Sequence, residues 1–118
     1  MFKKIKAKIE QRRNIKECEV LIAHYEGSIA FYADHGQKVG DMMNKVCARM
    51  SSASDLRYKK IIGGHEPTQI EELLYEELLE QQEETLKILS RESEEALAKE
   101  KFYREMVYLL QEELSSLC

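Results

Sequence analysis

Three histidines, three cysteines and a dense run of glutamates are the residues of this chain able to bind a metal, attack a carbonyl or move a proton. Their spacing directs them to none of these tasks. A carboxylate-bridged di-iron bundle needs Glu-x-x-His on two helices, and Leu21, Tyr32 and Ile62 stand three residues before His24, His35 and His65. All-α nucleotide pyrophosphohydrolases pair Glu-x-x-Glu with a later Glu-x-x-Asp. Glu77 and Glu80 supply the first half, but the last aspartate is Asp55, so the second half is missing. His24 and His35 share a helical face and would reach zinc only by meeting their copies across a dimer; a partly solvated histidine pair is the simpler reading. Cys47 has no adjacent histidine to activate it. Gly63-Gly64 lacks the lysine and strand context of a phosphate-cradling loop. No catalytic residue, cofactor or metal ligand is assigned, and the expectation is a protein that is not an enzyme.

Composition narrows the compartment. Cys18, Cys47 and Cys118 are odd in number and lack the tight spacing of a disulfide framework or zinc knuckle, so reduced thiols are expected. No stretch approaches the roughly 18 uninterrupted apolar residues of a membrane span, and Met1 to Lys16 is too charged to contain a secretory apolar region. A soluble, cytoplasmic protein is expected.

The elements that must position these residues are legible from hydrophobic spacing. Ile15, Cys18, Ile22, Tyr25, Ile29, Tyr32, Gly36, Val39, Met43, Val46 and Met50 follow one another at steps of three and four, with only Gly36 not apolar. Tyr75, Leu79, Gln82, Leu86, Leu89, Ser93, Ala96, Glu100, Tyr103, Val107, Leu110, Leu114 and Leu117 do the same. An average step of 3.5 nearly matches the 3.6 residues of a helical turn, so each series lines one helix face in the manner of a coiled coil. One proline and five glycines leave little punctuation for a β-rich fold.

The expected fold is all-α: a long antiparallel helical hairpin, residues 1–118 forming one helical domain with an arm at 2–50, a connector at 51–67 and an arm at 68–117. The serine-rich start of the connector and its Gly63-Gly64-His65-Glu66-Pro67 end argue for a break, with a short helical turn between Asp55 and Ile62. Thr68 followed by Glu71 has the pattern of a capping box, and Glu71, Glu72, Glu76 and Glu77 load the first turns where the helix dipole favours negative charge. Leu21, Phe31 and Met42, with Leu73, Leu74, Leu78, Ile88, Leu97, Phe102 and Leu109, widen both stripes beyond a two-stranded seam. Two architectures satisfy that width. Two hairpins pair into a four-helix bundle, or breaks near Gly36 and Ser90 fold one chain into a monomeric four-helix bundle. Unbroken phase through those positions favours the homodimer.

Charge is segregated. Lys3, Lys4, Lys6, Lys8, Arg12, Arg13 and Lys16 against Glu10 give the N-terminal segment a balance of +6, whereas Glu71 to Glu84 holds seven glutamates and no basic residue. Head-to-tail association of two hairpins would bring these together; two solvated helix faces explain them equally. Phe2, Ile5 and Ile9 among the lysines also resemble an interfacial helix or a nucleic-acid arm, although the net charge of −4 repels phosphate from most of the surface. The expected function is a small helical interaction protein, an adaptor, regulator or inhibitor with a protein partner. Its contact surfaces would be helix faces bearing Tyr25, Tyr32, Tyr75, Tyr103 and Tyr108, or the connector residues Leu56, Tyr58, Ile61, Ile62 and His65. The alternative is a binder of anionic membrane or nucleic acid acting through the basic segment, and a metal enzyme using the glutamate-rich helix comes last.

Overall fold

A computed structural model describes residues 2–118 and contains two helices, α1 (Phe2–Ile62) and α2 (Gln69–Leu117), with no strand among the described residues. The fold is an all-α helical hairpin. α1 passes through Gly36 and Gly40, and α2 through Ser90, without interruption. The monomeric four-helix bundle with breaks at those positions is thereby corrected. Glycine in a helix interior costs about 1 kcal/mol relative to alanine, less than the cost of abandoning the apolar register that continues on either side.

The connector is also shorter than expected. α1 runs twelve residues beyond Met50, and the stretch between the two helices is residues 63–68. The physical reason is that the register persists through the serines: Ala53 and Arg57, at steps of three and four from Met50, are both half-buried. Paired glycines then stop the helix. Gly64 has φ +90°, and the Gly64 and His65 amides donate to the Ile61 and Lys60 carbonyls at 3.1 and 3.0 Å. This is the Schellman closure, in which a left-handed residue turns two amides back onto the last carbonyls. Thr68 opens α2 by accepting from the Glu71 amide through its hydroxyl at 3.2 Å and from the Glu72 amide through its carbonyl at 3.0 Å. The Glu71 carboxylate completes no simple capping box, because it turns to the His65 ring instead.

The chain divides into two compact units. The first joins α1 up to His35 with Ala96–Cys118; its buried side chains are Cys18, Ala96 and Val107. Its helices run antiparallel, as the Gln11 side-chain amide donating to the Leu117 carbonyl and the Tyr25–Tyr103 stack require. Tyr103 stacks on both Tyr25 and Tyr32, with ring centroids 5.5 and 5.8 Å apart, and the Lys99 ammonium lies 5.2 Å from the Tyr32 centroid. Edge-on or offset aromatic pairs and cations over rings add roughly 0.5–1.5 kcal/mol each beyond burial. The second unit, Gly36–Glu95, is the hairpin proper and buries Val39 and Val46.

In both units the seam has the membership read from the spacing. Each residue of the two series is buried or half-buried. Most are only half-buried, because one partner helix covers one side of a seam and leaves the flanks open. Full burial of a leucine or phenylalanine is worth about 1.5–3 kcal/mol, so much of the apolar side chain in this hairpin is not yet contributing.

Candidate interaction surfaces

Beside the loop, unit two carries a polar cluster on the seam itself. Arg57 Nη2 lies 2.5 Å from Glu72 Oε1, its Nε donates to the same oxygen at 3.2 Å, and its guanidinium sits 4.9 Å from the Tyr75 centroid. The hydrogen bond to Glu72 raises the affinity of Arg57 for its proton. His65 Nε2 stands 3.1 and 3.2 Å from the two oxygens of Glu71, and that hydrogen bond holds the Glu71 carboxyl below its ordinary range, with lesser help from the His65 charge, Thr68 and Lys60 against partial desolvation. Between these pairs lies a cleft of about 270 Å³ lined by Leu56, Pro67, Leu74 and Tyr75.

The five connector residues singled out as a contact surface are not one surface. Leu56, Tyr58, Ile61 and Ile62 belong to the last turns of α1, and His65 alone is in the loop. Leu56 and His65 both border the cleft. Tyr58 and Ile62 are exposed to 65% and 67%. Of the other tyrosines, Tyr25, Tyr32, Tyr75 and Tyr103 are half-buried on the seam, and Tyr108 is exposed like Tyr58. Arg57 and Glu72 were missed by sequence reasoning, although extending the seam register past Met50 and back from Tyr75 reaches both.

Part of the exposed apolar surface gathers on one flank of each unit. A residue immediately before a seam residue lies about 100° back around a right-handed helix. Because the paired helices run in opposite directions, that displacement points both helices' preceding residues to the same face of the pair. In unit one this face carries Leu21, Phe31, Phe102 and Leu109, all exposed. In unit two it carries Met42, Leu56, Leu74, Leu78 and Ile88, also exposed. The opposite flank, one residue after the seam, is mostly small or polar: Ala23, Ala30, Lys101 and Arg104 in unit one, and Asn44, Ser51, Glu76, Glu80, Glu83 and Lys87 in unit two. Ile5, Ile9, Leu97 and Tyr108 in the first unit, and Tyr58 and Leu73 in the second, are its large apolar members. Polar side chains interrupt the first flank as well, His24 and Lys99 in unit one and Lys45, Arg49 and Ser52 between Met42 and Leu56 in unit two; single surface leucines are normal in any protein, and large apolar side chains grouped on a flank mark a candidate site of association.

The basic segment is a separate surface. Lys3, Lys4, Lys6, Lys8, Arg12, Arg13 and Lys16 are exposed, and Arg13 pairs with Glu17 on its own helix at 3.4 Å. Phe2 is 88% exposed, and Ile5 and Ile9 are exposed with it. Carried back through Gln11, the seam register places Ile5 and Ile9 on the flank opposite Leu21 and Phe31. No described helix is long and apolar enough to cross a membrane. Among the described residues no group of three or more His, Cys, Asp or Glu is placed to hold a metal ion.

Fold and surfaces together define an all-α helical hairpin that leaves large apolar side chains exposed in each of its units. Comparison with protein families, curated proteins and solved structures finds no match to this chain.

Proposed function

We propose that this chain is a non-enzymatic helical interaction protein, an adaptor, regulator or inhibitor that presents a helix face to a macromolecular partner and works in the cytoplasm as a homodimer. The observation that carries the reading is the imbalance between core and surface: five hydrophobic side chains are buried among the described residues, while Phe31, Phe102 and Leu109 on a face of unit one, and Leu74 and Ile88 on a face of unit two, are each more than half exposed. A face of that kind gains free energy only when another surface covers it. Pairing of two hairpins into four helices is the arrangement that buries such a face with ordinary helix packing. The free thiols Cys18, Cys47 and Cys118 fit a reducing compartment.

A photo-crosslinking residue placed at Phe102, with Lys101 on the opposite flank as control, tests this reading in the cell of origin. Adducts of discrete mass from position 102 and none from 101 are expected, including one at twice the 13.8 kDa of the chain. Equal yields from both positions, with a purified chain that sediments as a monomer at 100 µM (about the highest concentration a weak regulatory dimer needs), would sink it.

A second reading is favoured by one observation, the exposure of Phe2, Ile5 and Ile9 among lysines. A helix so arranged lies in the headgroup region of an anionic membrane. Flotation with anionic vesicles, lost on deletion of Met1 to Lys8, is its signature.

A further inference from the structure

The open end of unit one is uneven. α2 stops at Leu117, whose carbonyl accepts from the Gln11 side-chain amide, so α1 outruns its partner helix toward the N-terminus. Every residue from Phe2 to Asn14 is exposed, and Ile15 is the first on this arm to be half-buried. A helical segment of that length owes most of its stability to the packing of an apolar face, and here the face is uncovered. At about 100° per residue, Phe2, Ile5 and Ile9 fall within an arc of about 60°, and Val20, itself 60% exposed, falls in the same arc. Lys6 and Arg13 border the arc on one side and Arg12 and Lys8 on the other, while Lys16 lies within it. The acidic side chains of the stretch, Glu10, Glu17 and Glu19, stand about 80–100° from its centre. That centre is about 150° around α1 from Ile15, Cys18 and Ile22, so the arc faces away from α2.

We infer that α1 lies flat on an anionic phospholipid bilayer from Phe2 to Val20, with α2 of the same unit on its far side. This rests on the membrane reading above and adds the pose. Phe2, Ile5, Ile9 and Val20 enter the boundary between headgroups and acyl chains, and Lys6, Lys8, Arg12 and Arg13 reach lipid phosphates along its two edges. Lys16 lays its stem beside Val20 and carries its ammonium back to the headgroups. Charge draws the helix to the surface, and the apolar arc decides that the surface is lipid. Nucleic acid offers phosphates for the lysines but no apolar phase for Phe2, which is 88% exposed. Phe102 and Leu109 are carried on α2 and stay clear of the bilayer, so these side chains remain free for a partner while the chain is on the membrane.

The chain contains no tryptophan, so a single introduced indole reports its own surroundings. Ile9→Trp, Val20→Trp and Phe102→Trp are each made in the full chain and mixed with vesicles of phosphatidylcholine bearing brominated acyl chains, with and without an equal share of phosphatidylglycerol. Emission from Ile9→Trp and Val20→Trp is expected to shift to shorter wavelength and to be quenched on the anionic vesicles alone, and that of Phe102→Trp to stay unchanged. Ile5→Ser combined with Ile9→Ser keeps every charge and should weaken flotation with the anionic vesicles at least about tenfold. Flotation with Val20→Trp unquenched, or with Phe102→Trp quenched, overturns the pose and leaves the membrane reading standing. Flotation untouched by the serine pair overturns insertion of the apolar arc. A wild-type chain that does not float overturns the membrane reading itself, and its retention of a single-stranded oligonucleotide would then give the basic residues to nucleic acid.

Discussion

Replacing Gly40 with alanine should stabilise this protein, and the sign of the effect tests the continuity of α1. Gly40 lies inside the helix beside buried Val39, and a Cβ built on it meets nothing within 4 Å. The substitution therefore removes backbone freedom from the unfolded chain at no steric cost in the folded one, worth about 0.5–1 kcal/mol. For a chain of this size that corresponds to a midpoint higher by about 4 °C in thermal unfolding followed at 222 nm. Gly27, also helical and also open, should behave alike. Gly64 should do the reverse, because its φ of +90° is a conformation that alanine adopts only under strain. Unfolding of all three variants side by side supplies an internal control. A lower midpoint for Gly40→Ala would mean that this glycine serves as a turn or a close-approach site, and the uninterrupted helix would have to be abandoned.

Thr68→Ala should cost about 1 kcal/mol by leaving the Glu71 amide without its acceptor, read as a lower urea midpoint at unchanged slope. Glu71 has a carboxyl held below its ordinary value of 4.5, so its stabilising effect is complete above that value and is lost as pH falls through the lowered one. The wild type should accordingly lose stability below pH 4.5 more steeply than Glu71→Gln, and identical acid profiles would show that the His65 contact does nothing in solution. Thiol modification should distinguish Cys18 from Cys47 and Cys118: burial, with Glu113 and Glu17 nearby, pushes the Cys18 thiol up and shields it, whereas the other two are exposed. Two thiols reacting promptly and the third only in denaturant is the expected count.

Local and periodic information decides much of this molecule, and it is all present in the chain. Steps of three and four place Ile15 through Met50 and Tyr75 through Leu117 on single faces whatever those faces pack against, and every one of those residues is at least half-buried in the hairpin. Thr68 and the Gly63-Gly64 pair act through hydrogen bonds to residues within five positions, so α2's start and α1's stop are readable without any tertiary contact. The continuation of α1 through Ser51, Ser52 and Ser54 is not local in this way. Their weak helix propensity, a few tenths of a kcal/mol each, is overcome by packing of Ala53 and by the Arg57 pair with Glu72 fifteen residues away. That pairing joins two helices, and only the folded hairpin brings its partners together. The one-sidedness of Leu21, Phe31, Phe102 and Leu109 has the same origin. Each helix alone displays a widened stripe, and whether two stripes open toward the same side depends on the relative direction of the helices, which is a property of the pair and not of either sequence.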